Sequence, residues 1–311
     1  MEKDEVSIVI VSMNRMDNLN ICIPSIEKYT KCKHKIYVVA YMFSKENLVD
    51  LKKNYPQVIV IESNEIRGFS ENNNLALRQV TSEFVFIQND DTEYKEPVLD
   101  KLLAAIQKTP EATVMSPVLW RGDGSLQFCG RGKDVFGNYV RLKLNLKQKE
   151  DSIHTNGVGI FKSYNVSGAA FLIRTEAFRN IGFFDEQYFF CPEDIVVGET
   201  LNKRGKYCYV DTDSNIIHYE GVSSAKSKLF YATSCAMELG GFYFRGNTAF
   251  KRIVLITIIL YKLLLHSILF ALRKKPHNKD YYYINKMVLK AISNKKTTKQ
   301  LFIEEYNKVT K

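Results

Sequence analysis

Two neighbouring carboxylates, Asp90-Asp91, follow directly on an apolar run, Glu83-Phe-Val-Phe-Ile87, and its stop Gln88-Asn89. In a loop at a strand end, such a pair is placed to hold a divalent cation through oxygen. A cation there would neutralise a diphosphate and help it leave. The other reading is an Asx-rich turn that caps the strand and needs no metal. A second acidic pair, Glu193-Asp194, stands after the aromatic run Tyr188-Phe189-Phe190 and opens a helical pattern. A carboxylate against an apolar wall can have a raised pKa and serve as a general base. The same acids also suit the positive end of a helix dipole, with no chemistry implied. His218 follows Asn215-Ile216-Ile217. A histidine at a strand end near carboxylates can ligate a metal, although a lone histidine is more often structural. Arg67-Gly68-Phe69-Ser70-Glu71-Asn72-Asn73-Asn74 offers a cation, a close backbone approach and a helix N-terminus, all suited to phosphate. Three successive asparagines are poor interior helix formers and point to polar contacts. A glycine turn with a Ser N-cap explains that segment equally well.

The elements that must carry these residues alternate. Val6-Ser-Ile-Val-Ile-Val11 is a β-branched strand that stops at Ser12-Met13-Asn14-Arg15. A helix is expected over 16–29, a strand over 35–39, and a helix over 44–54 with Ser44 as N-cap and Asn47 at N3. A strand over 57–61, a helix over 70–80 and a strand over 83–87 follow. Glu96-Pro97 then opens another helix with Pro at its first position. Short apolar strands alternating with helices mean βαβ units and a parallel sheet, an α/β fold. Ligands of such sheets sit beyond the carboxyl ends of the strands, where Asn14, Arg67-Gly68 and Asp90-Asp91 stand. Residues 120–151 read as loops and short strands. A strand is expected over 165–174, a short helix over 175–181, a helix over 194–204 and a strand over 206–210.

The chain of 311 residues has 45% hydrophobic and 25% charged residues, which excludes a disordered chain, a coiled coil and a polytopic membrane protein. Its net charge of +10 is concentrated at one end. Residues 251–311 hold 14 Lys and Arg against three acidic residues. A nucleic-acid binder basic throughout would not look like that. The six cysteines form no CxxC pair, so free thiols in a reducing cytoplasm are expected. The first residues lack the pattern of a signal peptide. Residues 253–272 are interrupted by only Lys262 and His266 among ionisable groups. That length can span a bilayer. However, Lys262, His266 and Arg273 share one helical face, and a polar stripe with basic ends favours a helix lying in the interface. A soluble core or oligomer helix is the third reading. The basic region fits an anionic membrane surface; a solvated tail is the alternative.

Taken in order, these segments resemble the family 2 glycosyltransferases of GT-A fold, in particular the rhamnosyltransferase-like branch that builds bacterial surface polysaccharides. The resemblance rests on residues 6–15, Gly68-Phe-Ser-Glu-Asn-Asn-Asn-Leu-Ala76, Asn89-Asp-Asp-Thr92, Ser167-Gly-Ala-Ala-Phe-Leu-Ile-Arg174 with Glu176-Ala-Phe178, Gly182-Phe-Phe-Asp-Glu186, Glu193-Asp194, and Ile217-His-Tyr-Glu-Gly-Val-Ser223. It implies a Rossmann-like GT-A domain over 1–250, with a donor half to about 118, an acceptor half from about 119, and a helical extension over 251–311. It implies that Asp91 binds Mg²⁺ or Mn²⁺ with the donor diphosphate and that His218 is a further ligand. Asp194 becomes the general base, with Glu193 on the acceptor side. Ser12, Asn14, Arg15, Arg67, Gly68, Asn73, Asn74 and Asp90 become donor contacts.

Three positions depart from the family pattern. Val39-Ala40-Tyr41 lacks the Asp that contacts the donor base, Ile66 replaces an Asn, and Val196 replaces a second Asp. The implied reaction is inverting transfer from a nucleoside-diphosphate sugar to a hydroxyl of a glycan or lipid-linked acceptor. The implied location is cytoplasmic, at the inner face of the cytoplasmic membrane, with no nucleic-acid partner. A sugar-phosphate nucleotidyltransferase is disfavoured because no glycine follows the first strand. A degenerate paralogue that binds without turnover is the other alternative, and Ala40 is its support.

Overall fold

The computed structural model describes residues 2–127, 129–147, 153–154, 158–219, 229–273 and 275–310. Residues 220–223 of the His218 segment and the side chain of Arg273 lie outside the described residues. Contacts divide the chain into two units. One comprises residues 1–133, 150–185 and 193–220, and the other residues 134–149, 186–192 and 221–311.

The first unit begins with β1 (Glu2–Met13), α1 (Met16–Tyr29), β2 (His34–Tyr41), α2 (Lys45–Asn54), β3 (Ile59–Ser63), α3 (Phe69–Leu77) and β4 (Ser82–Asn89). It continues with β5 (Thr92–Glu93), α4 (Val98–Lys108), β6 (Ala112–Trp120) and β7 (Gly130–Arg131). Helix α5 (Phe136–Lys143) belongs to the second unit. The first unit resumes with β8 (Ile153–His154), β9 (Ile160–Ser163), β10 (Asn165–Val166), β11 (Ala170–Arg174), α6 (Thr175–Asn180), α7 (Glu193–Lys203) and β12 (Tyr207–His218).

Among the described residues, the main sheet runs β3-β2-β1-β4-β11-β6-β12-β5, with β9 beside β12. Strands β1 to β4, β6 and β12 share one direction, and β11 runs against them between β4 and β6. Val6, Ile8, Val9 and Ile10 of β1 have no exposed surface, as expected of a parallel strand covered on both faces. Beneath the sheet, the ring of Phe184 meets Phe69, Phe171 and Phe178 edge to face, at 5.6, 6.3 and 5.1 Å. Short strands β10, β7 and β8 form a separate small sheet.

Several local expectations hold. Helix α1 spans the expected residues, and the Ser44 hydroxyl caps α2 by accepting from the Asn47 N–H at 3.1 Å. Others change. Pro97 is the N-cap of α4, because its ψ of 65° is not helical. The strand expected over 165–174 breaks at Ser167-Gly168-Ala169, where the Ser167 hydroxyl accepts from the Ala169 N–H at 3.3 Å. The strand expected over 206–210 runs on to His218. Asp211 satisfies the polar run inside it, accepting from Asp213 N–H at 3.1 Å and the Ser214 hydroxyl at 2.5 Å. The pairing register with β6 shifts across that stretch.

The second unit is helical. Besides α5 it holds α8 (Phe230–Arg245), α9 (Ala249–Arg273), α10 (Pro276–Ser293) and α11 (Thr298–Thr310). Its core includes Cys235, Leu239, Phe242, Leu255, Ile284, Val288 and Leu301. Residues from earlier in the chain complete it. Phe189 stacks on Phe302 at 4.0 Å, and Lys143 meets Glu238 at 2.5 Å. Tyr188 packs edge to face on Phe244. These two aromatic rings, read from sequence as a wall beside Asp194, are therefore used within the helical unit.

Candidate active site

The register of one short pairing builds the centre of the site. Strand β5 runs antiparallel to the end of β12, with Thr92 opposite His218. That brings Asp91 against the histidine, with Nε2 3.2 Å from Oδ1. Both side chains are mostly buried, at 10% and 14% exposure. Gln127 fixes the ring. Its side-chain N–H donates to the His218 carbonyl at 2.9 Å, so its oxygen must be the atom 2.9 Å from Nδ1. An acceptor there requires the proton on Nδ1 in the neutral ring, which leaves the Nε2 lone pair toward Asp91. The Asn89 amide, 3.2 Å from Nε2, donates to the same nitrogen, a bond that an ion held at Nε2 would replace.

A lone pair and a carboxylate aimed at each other make a poor contact without a cation or a proton between them. The pair therefore fits a divalent ion, and Gln127 is the kind of partner that holds a ligating histidine in one tautomer. Among the described residues, no group of three or more His, Cys, Asp or Glu side chains converges. Two side chains of this kind would suit an ion that takes the rest of its shell from water and substrate phosphate. Replacing Gln127 with Leu should lower Mn²⁺ affinity about 10–100-fold. Gln127→Glu, which keeps an acceptor for Nδ1–H but loses the donor to the His218 carbonyl, should recover part of it. Manganese titration by electron spin resonance, beside melting curves, separates this from a purely structural loss.

Asp90 lies at the end of β4, one step from the Val11–Asn89 register pair, so it adjoins the end of β1. Burial pushes its carboxyl up to about 6, and neighbouring Asp91 adds to the rise. Ser12, the Asn18 amide at 3.1 Å and the Arg15 charge pull it back. The Arg15 guanidinium is itself held by Asp17, at 2.9 and 2.7 Å. The Asn14 side chain organises the opening of α2, accepting from the Ser44 N–H and the Asn47 amide, both at 2.9 Å. Asn14 sits at φ 54°, a left-handed conformation that asparagine tolerates better than most residues.

Arg67 and Gly68 lead into α3. The Arg67 guanidinium donates to Ser63 at 3.2 Å and to Glu65 at 2.7 Å, and the Glu71 carboxylate accepts from the Gly68 N–H at 3.1 Å. The three asparagines divide their work. Asn72 accepts from Ser63 at 2.7 Å. Asn74 reads the backbone of Phe184 in both directions, donating at 2.9 Å and accepting at 3.2 Å. Asn73 donates to the Phe69 carbonyl at 2.9 Å, while its own side-chain oxygen is buried without a hydrogen-bond partner. Of the pair named from sequence, Asn73 therefore has the open acceptor.

Asp194 lies in the first turn of α7, beside buried Glu193. Its Oδ2 accepts from Gly168 N–H at 3.4 Å and stands 3.8 Å from the Arg131 guanidinium. A Cβ on Gly168 would meet the Asp194 side chain at 3.4 Å, so the two residues are in close register. The next carbonyl, that of Ala169, accepts from the Asn89 N–H at 2.9 Å. One peptide thus separates the Asp194 contact from the strand end that carries Asp90 and Asp91. Gln127, Cys129 and Arg131 serve both groups. Gln127 holds His218, the Cys129 carbonyl accepts from Ser167 N–H at 3.0 Å, and Arg131 faces Asp194. Sequence reading missed Gln127, Arg131 and Asn18, which carry no local signal.

Comparison with known proteins bears on the family and the fold. The family described as Glycosyl transferase family 2 matches residues 7–182. The O-antigen biosynthesis protein RfbC of Myxococcus xanthus is 25% identical over 226 residues, covering 70% of this chain and 18% of that protein. The N-acetylglucosaminyl-diphospho-decaprenol L-rhamnosyltransferase of Mycobacterium tuberculosis is 22% identical over 193 residues, 55% of this chain and 62% of that protein. The chain thus spans less than two thirds of either relative. Among solved structures, mannosyltransferase PcManGT from Pyrobaculum calidifontis, in complex with GDP-Man and Mn²⁺, superimposes with a TM-score of 0.51 at 14% identity. That match covers 93% of this chain and 86% of the other. With more than half of its length matched by the family, and with this sheet order, the protein belongs to glycosyl transferase family 2 and has the GT-A fold.

Proposed function

We propose that the chain moves a sugar, with inversion, from a nucleoside-diphosphate sugar to a hydroxyl of a glycan or lipid-linked acceptor in cell-surface polysaccharide synthesis. The observation that carries this reading is the Asp91–His218 pair, held by Gln127, with Asp194 one peptide away across Gly168-Ala169. The names of the O-antigen and rhamnosyl relatives support the acceptor class.

Asp91 and His218 would hold Mg²⁺ or Mn²⁺, which would supply positive charge to the leaving diphosphate. Asp194 accepts the proton of the acceptor hydroxyl. The oxygen so released bonds to the anomeric carbon, while the bond to the diphosphate breaks on the opposite face and its electron pair leaves with the phosphate. Arg131 keeps a cation beside the base, and Gly168 N–H orients it. Ser12, Arg15, Arg67, Gly68, Asn73 and Asp90 line the donor side. Asn14 and Asn74 act on that side through the loops they fix. Glu193 lies toward the acceptor.

A degenerate paralogue is the second reading, favoured by Ala40, a buried methyl at the end of β2. A nucleotide-release screen decides between them. UDP-, GDP- and dTDP-sugars are offered with Mn²⁺ or Mg²⁺ and then with EDTA. One donor should be cleaved in a metal-dependent way. Silence across the panel, persisting with lipid-linked acceptors, would end the enzyme reading.

A further inference from the structure

Helix α9 turns Lys262 and His266 toward protein. Lys262 is partly buried in the field of Lys143 on α5 and Glu238 on α8. His266 meets Asn278 of α10, Nδ1 to Oδ1 at 3.1 Å, and stacks on Tyr281 at 5.0 Å. Leu255 and Ile258 fill the same inward side, 4% and 7% exposed. The Lys262 and His266 part of the stripe that sequence turns toward water is thus occupied by protein. The opposite side is apolar apart from exposed Thr257, whose hydroxyl is bonded back to the Ile253 carbonyl. Phe250, Ile253, Leu260, Leu264, Ile268 and Leu272 are 48% to 76% exposed. Most are spaced by three or four residues, so they form one face of the helix. Its 24 residues Ala249–Leu272 are long and apolar enough to cross a bilayer by length and composition.

Two facts argue against crossing. Helix α10 packs along α9, and it carries Lys279, Asp280, Lys286 and Lys290, which hydrocarbon would not accept. Lys262 and His266 would be taken to the same depth. Pairing with a second copy is disfavoured by charge, since it would bring together two segments that each hold 14 Lys and Arg against three acids. The same charge attracts an anionic lipid surface. Tyr261 and Tyr281, about half exposed (51% and 50%), suit the headgroup level.

We propose that α9 docks the protein on an anionic bilayer by lying in its plane, the Phe250–Leu272 face in the acyl boundary and Lys262 and His266 turned to protein. This rests on the helical unit alone and stands whatever the α/β unit transfers. The test is flotation of the full chain with vesicles of phosphatidylcholine alone or mixed with phosphatidylglycerol. Binding should be about tenfold or more tighter to the anionic vesicles at low salt. The double change Leu260→Glu with Leu264→Glu should weaken it by about tenfold or more at an unchanged melting temperature. Ile253→Trp, Leu264→Trp and Leu272→Trp report depth through quenching by brominated lipids, above the constant signal of Trp120. Equal, shallow depth along the helix supports the proposal even if the glutamate variant fails to fold. A deep centre with shallow ends would mean a spanning helix and overturn it. Failure to bind vesicles, with or without self-association, would overturn it too.

Discussion

Asp194→Asn should lower turnover about 10²–10⁴-fold, the usual contribution of a positioned base, while donor affinity stays near that of the parent. The substitution keeps the shape of the side chain and removes its capacity to accept a proton. The native carboxylate takes bonds from Gly168 N–H and Ile195 N–H, at 3.4 and 2.7 Å, and asparagine retains one acceptor for them. The lost bond costs about 1 kcal/mol of stability, so the protein stays folded. The measurement is steady-state transfer with the donor found by the release screen, beside a direct donor-binding titration. Full activity in the variant would remove Asp194 from the base role. Equal losses of binding and turnover would instead assign it to the donor.

The second large effect follows from the cation pair. Asp91→Asn should lower activity about 10²–10³-fold and remove most of the Mn²⁺ dependence of donor binding, because it leaves His218 as the one remaining side-chain ligand named here. EDTA applied to the parent should reproduce the loss, and added Mn²⁺ should reverse it in the parent far better than in the variant. Isothermal titration of donor with and without metal reads both effects. A variant that binds donor as the parent does, with the same metal response, would show that Asp91 plays no part in holding the ion.

Much of the α/β unit is legible in its sequence because the signals are local. The 14 residues of α1 and the Ser44 cap follow from short patterns, and the acidic pair at the end of β4 follows from a strand that must stop. What escapes is set by distance along the chain. Strand β12 looks too polar over Asp211-Thr-Asp-Ser214 to be one element, and only the bonds Asp211 makes within that stretch let it reach His218. No pattern marks Gln127 as the partner of a histidine 91 residues away. Nor does any local rule separate Asn73 from Asn74. One amide oxygen is left open and the other is taken by a backbone 110 residues on. Helices α8, α10 and α11 have mixed faces that become readable only when α5 and Phe189 fill in the core.

That the helical unit is gathered from three stretches of chain governs the order in which it can be made. Lys143 must find Glu238, 95 residues later. At ordinary rates of synthesis, about 5–20 residues per second, the ribosome needs roughly 5–20 s to supply the partner. Phe189 waits similarly for Phe302. Through that interval the early segments wait for their partners, and by the time Glu238 and Phe302 emerge the last strand of the α/β sheet, β12, has already been made. Closure of the helical unit therefore follows synthesis of the last α/β strand. A chain released before α11 leaves Phe189 without its ring partner and Leu239 in an unfinished core, surfaces that holdase chaperones and quality-control proteases recognise.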